Sequence, residues 1–304
     1  LDRSLGLNLV SEQFQPLTHE PARAILAHRE GHDFDSSSPV ITLGRLRELR
    51  AETAGLPIAG RRALPGLPEV EPGADLSQLI CEALRAAAIE LQSGDVLVIA
   101  QKIVSKAEGR QRRLADVAPS TAAVELASAV RKDPRFVQLV LEESSAVVRA
   151  VPDILITRHR SGFVMANAGI DRSNLPHAED TVLLLPLDCD ASAHALRAAF
   201  APFEIGVIVS DSFGRPWRQG TVNVALGVAG FPAVLDQRGT TDRQGRVMQT
   251  TQIALADAVA AGAGLVMGET SQGTPVVHVR GLDFSAPLTD GQSLVRPPAE
   301  DLFR

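Results

Sequence analysis

Three acidic residues far apart along the chain, Asp171, Asp211 and Glu269, each follow an apolar run and stand among Gly or small polar neighbours. The blocks are NAGIDRSN (167–174), SDSFGRPWRQG (210–220) and MGETSQGTP (267–275). A carboxylate at the C-terminal mouth of a strand can hold Mg²⁺ or Mn²⁺ against phosphate oxygens, because these hard cations prefer oxygen ligands and complete their shells with water and substrate. Taken singly, an Asp beside Gly or Ser is equally well explained as a turn former. Asn174 and Ser212 are small polar groups able to complete a metal or nucleotide shell. Lys102 and Lys106, in AQKIVSKAEG, carry compact ammonium charges suited to screening phosphate oxygens, against the plainer account of two exposed lysines. Arg215, Trp217 and Arg218 set two guanidinium forks around the single Trp of the chain. Such a surface can clamp a phosphodiester or stack on a planar ring, although Arg beside Trp is also common at subunit interfaces.

The common nucleotide fingerprints are missing. No GK dipeptide occurs, so there is no Walker A loop, and GAGLVMG (262–268) precedes its apolar run and so has the wrong polarity to cradle a pyrophosphate. No Gly-x-Ser-x-Gly elbow or kinase signature is present. A net charge of −6, 4% aromatic content and the absence of Tyr argue against a nucleic-acid partner. Two cysteines, Cys81 and Cys189, make neither a disulfide framework nor a zinc spacing, which fits a reducing cytoplasm. No apolar stretch approaches the roughly 20 residues of a membrane helix, and the first residues lack a secretory pattern, so a soluble, untargeted chain is expected. His28 and His32 in HREGH have helical spacing without the glutamate position of a zinc protease, and a surface helix is expected there.

The elements that must position the acids follow from hydrophobic period. With 304 residues and 45% hydrophobic content the chain has material for a sizeable core. Residues 1–63, rich in His, Arg and Ser, are expected to form an N-terminal extension of unknown role, and 64–304 the main domain. A helix is predicted over 75–91, with Asp75 as N-cap and Gln78 closing a capping box. VLVIA (96–100) reads as a strand buried on both faces, running directly into a functional loop, QKIVSKAEG. Further helices are predicted at 120–132, capped by Ser120 and stopped by Pro134, at 136–145, and near 190–200 and 252–262. ILITR and GFVMA form a predicted hairpin, and TVLLLPL (181–187), IGVIVS (205–210), LVMG (265–268) and PVVHV (275–279) further strands. The class is α/β, or mixed α+β.

Five blocks in order, GLPEVEPG (66–73), AQKIVSKAEGR (100–110), NAGIDRSN, VSDSFGRPWRQG (209–220) and VMGETSQGTPVV (266–277), closely resemble the coenzyme F-420-0: L-glutamate ligase family. The likeness spans roughly Leu64 to Gly281. It implies a GTP-dependent amide ligase that joins coenzyme F-420-0 to L-glutamate through an acyl phosphate and can add further γ-linked glutamates. It also implies two divalent ions, Mg²⁺ or Mn²⁺, room for K⁺, and an F-420 ligase-like fold assembled as an intertwined homodimer. Carried over by resemblance, the metals fall to Asp171, Asp211, Ser212 and Glu269, with Lys106, Asp171 and Asp211 as catalytic residues. The nucleotide falls to Leu67, Pro68, Glu69, Val70, Gln101, Lys106, Asn174, Met267, Gly268, Gly273 and Thr274. Gln101 departs from relatives that carry Ser there. Arg215, Trp217 and Arg218 are the expected coenzyme contacts on their own chemistry. No second, flavin-dependent domain is expected after Arg304. Two alternatives stay open: an amide ligase for another phosphate-bearing acid, and a non-catalytic deazaflavin- or nucleotide-binding protein.

Overall fold

A computed structural model describes residues 60–173, 180–282 and 286–301. Its central sheet has five strands. These are β1 (Gly60–Ala63), β2 (Val96–Ala100), β8 (Gly206–Arg215), β9 (Arg218–Ala229) and β12 (Val276–Arg280), in the order β1-β12-β2-β8-β9. Only β2 and β8 run parallel to each other as neighbours; the other pairs are antiparallel. Within the described residues β1 lies a few residues before the blocks of the resemblance. Strands β10 (Val234–Asp236) and β11 (Gln252–Ala254) pair antiparallel as a separate ribbon. Fold class is mixed α/β, as the alternating pattern predicts.

The β-branched runs are continuous because both faces of this sheet are covered. Leu97, Ile99, Val207 and Val209 face one core with helix α1 (Leu76–Ala86) and helix α5 (Cys189–Ala199). Val96, Val98, Ile208 and Val277 face the other, against Ala256, Val259, Ala260 and Ala263 of helix α6 (Leu255–Met267). Asp75 caps α1, its carboxylate accepting from the Gln78 N–H at 3.0 Å. The reciprocal half of the predicted capping box is absent, since the Gln78 amide donates to Glu82 instead. Gly227 on β9 lets α5 approach: a Cβ there would lie 2.0 Å from the Cys189 carbonyl oxygen.

A second body is built on β4 (Ser144–Val151), β5 (Ile154–His159) and β6 (Val164–Ala166), the last two being the predicted hairpin. Helices α3 (Thr121–Val130) and α4 (Pro134–Glu142) pack on it. Ser120 caps α3 as expected, but Arg131 ends it in a left-handed conformation, and Pro134 opens α4 behind the Asp133 cap. A proline is well suited to a helix's first position, where its missing N–H has no partner to lose. Buried Glu143 ties this body together, pairing with Arg110, Arg160 and His159.

Three further expectations are corrected. QKIVSKA is helix α2 (Gln101–Ala107), not a loop: Ile103, Val104 and Lys106 are buried, and no Gly or Pro interrupts the run before Gly109. LVMG is not a strand; residues 265–267 are the last turn of α6, whose buried positions recur at helical spacing until Gly268 breaks it at φ +77°. Of TVLLLPL only β7 (Thr181–Leu183) is strand, paired with β3 (Gln111–Arg113), while Leu184, whose N–H donates to the Arg110 carbonyl at 3.2 Å, and Leu185 are buried beyond its end. The expectations for His28, His32 and Asn174 lie outside the described residues.

Candidate active site

The parallel pairing of β2 and β8 ends with Ala100 opposite Ser210. Immediately beyond them come Gln101 and Lys102 on α2, and Asp211 and Ser212 on the continuing β8. The antiparallel β12 starts at the same end: the Ala100 N–H donates to the Pro275 carbonyl at 2.8 Å, so the 268–275 loop carrying Glu269 enters here too. Asp171 arrives from the second body, fixed by two backbone hydrogen bonds with Leu183, 3.0 and 2.8 Å. Four segments thus converge on one cavity of about 680 Å³ at the carboxyl ends of parallel strands, the usual location of ligands in α/β sheets.

Local backbone irregularities mark two of these segments. Before Asp171, the consecutive residues Asn167, Ala168 and Gly169 all have left-handed φ values, 52°, 54° and 71°. For the first two this is costly, and it persists because Ala168 is completely buried and Gly169 abuts Leu185, where a Cβ would sit 2.9 Å from the side chain. Between β8 and β9 the register slips at Val209/Ser210, whose partners are Gly227 and Ala225, so that Leu226 of β9 is the bulged residue just before the Asp211 position. Asp211 stands inside a strand that runs on to Arg215, not in a loop.

Asp171, Asp211, Ser212 and Glu269 all line the cavity, as do Lys102 and Lys106. The Ser212 hydroxyl donates to Glu269 Oε2 at 2.8 Å. Lys102 Nζ lies 2.6 Å from Asp171 Oδ2. Burial pushes the Asp171 carboxyl up, but the Lys102 hydrogen bond and the Ser173 N–H outweigh it and leave the group below its ordinary value. Asp211 goes the other way: burial outweighs the lowering effect of the Ser212 N–H, and with the charge of Asp171 raising it, Lys102 opposing and Glu269 adding to the rise, the carboxyl is pushed up to about 7. Buried Lys106 pairs with Glu69 of the 66–70 segment.

Of the predicted nucleotide contacts, Glu69, Gln101, Lys106, Met267, Gly268, Gly273 and Thr274 line the cavity. Leu67 and Val70 instead pack in the core beneath α1, and Pro68 is exposed. The Gln101 side-chain amide oxygen, Oε1, accepts from the Ser105 hydroxyl at 2.9 Å. Arg215, Trp217 and Arg218 sit at the tip of the β8–β9 hairpin, outside the cavity lining, with Trp217 79% exposed at φ 64°. Sequence reasoning missed Asn167 and Ser210, which also line the cavity. The Asn167 amide oxygen and the Ser210 hydroxyl are buried there without a hydrogen-bond partner. Each opens one of the quoted blocks, so the blocks held the signal.

A divalent ion fits this donor set. Among the described residues no three His, Cys, Asp or Glu side chains close a cage by themselves. Mg²⁺ and Mn²⁺ do not require one, since they bind through one or two carboxylates plus water and substrate oxygens. The raised Asp211 and the two orphaned oxygens are groups that such an ion and an anionic substrate would satisfy.

Comparison with known proteins agrees with this geometry. Residues 66–281 match the family model described as F420-0:Gamma-glutamyl ligase. The Coenzyme F420:L-glutamate ligase of Methanopyrus kandleri is 42% identical over 257 residues, covering 82% of this chain and 99% of the relative. The protein of the same name from Methanothermobacter thermautotrophicus is 42% identical over 79% of the chain and 96% of its own length. That from Halobacterium salinarum is 46% identical over 73% and 87%. A match over most of the chain, with the acid-bearing segments inside it and gathered around one cavity, establishes that this chain is a ligase belonging to the F420-0:gamma-glutamyl ligase family.

Proposed function

We propose that the protein forms an amide bond between the carboxylate of coenzyme F-420-0 and the amine of L-glutamate, driven by GTP, and can add further γ-linked glutamates. The observation that carries this reading is the convergence of Asp171, Asp211, Ser212 and Glu269 with two lysines on one cavity. A carboxylate does not accept an amine directly, because oxide is a poor leaving group. In the proposed reaction a carboxylate oxygen of the coenzyme attacks the γ-phosphorus, the bond to the β-phosphate oxygen breaks, and GDP departs. The glutamate amine then adds to the acyl carbon, phosphate leaves with the bonding pair, and the amine proton is lost to a base.

Bound Mg²⁺ or Mn²⁺, held by Asp171, Asp211, Ser212 and Glu269, would neutralise developing phosphate charge. Lys106, already buried beside the 66–70 segment, adds a fixed positive charge, and the 268–275 loop offers backbone donors to the nucleotide. We read Arg215, Trp217 and Arg218 as a coenzyme contact at the rim of the site. The working unit is read as a cytoplasmic homodimer, a reading supported by Val147, Val148 and Ile154, exposed together on β4 and β5. No helix among the described residues is long and apolar enough to cross a membrane.

Phosphate release separates this reading from its rivals. Phosphate should appear only when GTP, the coenzyme and glutamate are all present; binding of GTP without release would favour a non-catalytic protein, and release with other amino acids in place of glutamate a different ligase.

A further inference from the structure

Lys102 is the cation in contact with the acid cluster, and its surroundings are unusually complete. An ammonium has three N–H donors. Here they meet Asp171 Oδ2 at 2.6 Å, the Ser173 hydroxyl at 2.8 Å and the Ser173 carbonyl at 3.5 Å, all within one three-residue segment. That segment closes on itself as well: the Ser173 N–H donates to Asp171 Oδ1 at 2.7 Å and its hydroxyl lies 3.1 Å from Oδ2. Both carboxylate oxygens of Asp171 are therefore occupied, and Lys102 has no donor left over for a substrate. Neither side chain is sealed in, with 24% and 30% of their surfaces exposed. Asp211 and Glu269, on β8 and the loop after α6, face the same cavity.

We infer that Lys102 is the built-in counter-cation of Asp171, competing with a divalent ion for that carboxylate and giving way when the ion binds. The inference rests on the metal reading of the site proposed above. It follows from exclusivity: a cation in contact with Asp171 Oδ2 must displace the ammonium, and two positive charges at that oxygen repel. The lysine thus keeps the empty cluster neutral enough to fold, at the cost of weaker metal affinity, and couples metal arrival to the release of α2 from the 171–173 segment.

Mn²⁺ binding to the nucleotide-free protein, read from the electron paramagnetic resonance of free Mn²⁺, tests this directly. Lys102→Met should bind Mn²⁺ about tenfold more tightly than the parent, and Lys102→Arg, which keeps the charge, within about threefold of it. In an Asp171→Asn background the Lys102→Met gain should disappear, because the competition is for Asp171. No tightening in Lys102→Met, checked by circular dichroism to be folded and backed by Lys102→Gln, overturns the inference, and so does a gain that persists without Asp171. If neither the parent nor any Lys102 variant binds Mn²⁺, and Asp211→Asn changes nothing, the metal reading itself falls and takes this inference with it.

Discussion

At Asp211 the chain holds a carboxylate that burial, Asp171 and Glu269 all push toward its neutral form, up to about 7. Such a group is costly to maintain and is a common mark of a functional position. Asp211→Asn keeps the shape and removes the charge, so it should fold normally and lose metal-dependent ligation by about two to three orders of magnitude in kcat/KM. Steady-state kinetics across Mn²⁺ concentrations would check this; near-parental ligation would contradict the role. Lys106 and Lys102 differ in the same physical way. The first is 4% exposed and pairs with Glu69, while the second is bound to Asp171 and Ser173. Lys106→Ala should therefore raise the KM for GTP several-fold more than Lys102→Ala does, which substrate titration of both variants can verify. At this scale the acids were legible because each stood in a distinctive block. The ion pairs were not, since Lys102 and Asp171 are far apart in sequence and only the second body brings them into contact.

Elements are where sequence pattern and structure part company most clearly. Helix α2 reads as a loop because its seven residues are too few to display a full hydrophobic stripe. The end of α6 reads as a strand because an apolar run of four cannot distinguish periods 2 and 3.6. The two-faced burial of β2 was legible, since a covered sheet tolerates the continuous run VLVIA, whereas β8 was legible only as a strand. The close contact of α5 on β9 was not, because a glycine in a strand does not announce which backbone approaches it. That contact yields a test: Gly227→Ala places a Cβ 2.0 Å from the Cys189 carbonyl, and neither backbone can yield cheaply. Urea denaturation should show a loss of about 1–3 kcal/mol. An unchanged midpoint would mean that α5 does not pack there as described.

Across the whole molecule, the body formed by β4–β6, α3 and α4 must stay attached to the central sheet, because it delivers Asp171. Glu143 serves that attachment. Arg110, whose Nη2 lies 2.9 Å from Glu143, also donates to the Leu185 carbonyl at 2.8 Å, and Leu185 packs against Leu226 of β9. Burial raises the Glu143 carboxyl, but the nearby His159 imidazole, its Nε2 3.5 Å away, and the charges of Arg110 and Arg160 outweigh it and bring it down to about 2. Because the folded value lies below the ordinary 4.5, this stabilisation is complete above about pH 4.5 and is lost as pH falls toward about 2, on the order of 3 kcal/mol. Glu143→Gln should be less stable at neutral pH and show a flatter acid limb in urea titrations; an unchanged limb would remove Glu143 from this role. None of this long-range bracing was legible in sequence, where Glu143 is one acid among 36 Asp and Glu. The most direct test of the account is mass spectrometry of coenzyme F-420-0 incubated with the protein, GTP, Mn²⁺ and glutamate. The account predicts a product heavier by one or more glutamyl units, formed only with GTP and absent with Asp211→Asn; coenzyme of unchanged mass with the folded parent protein would contradict it.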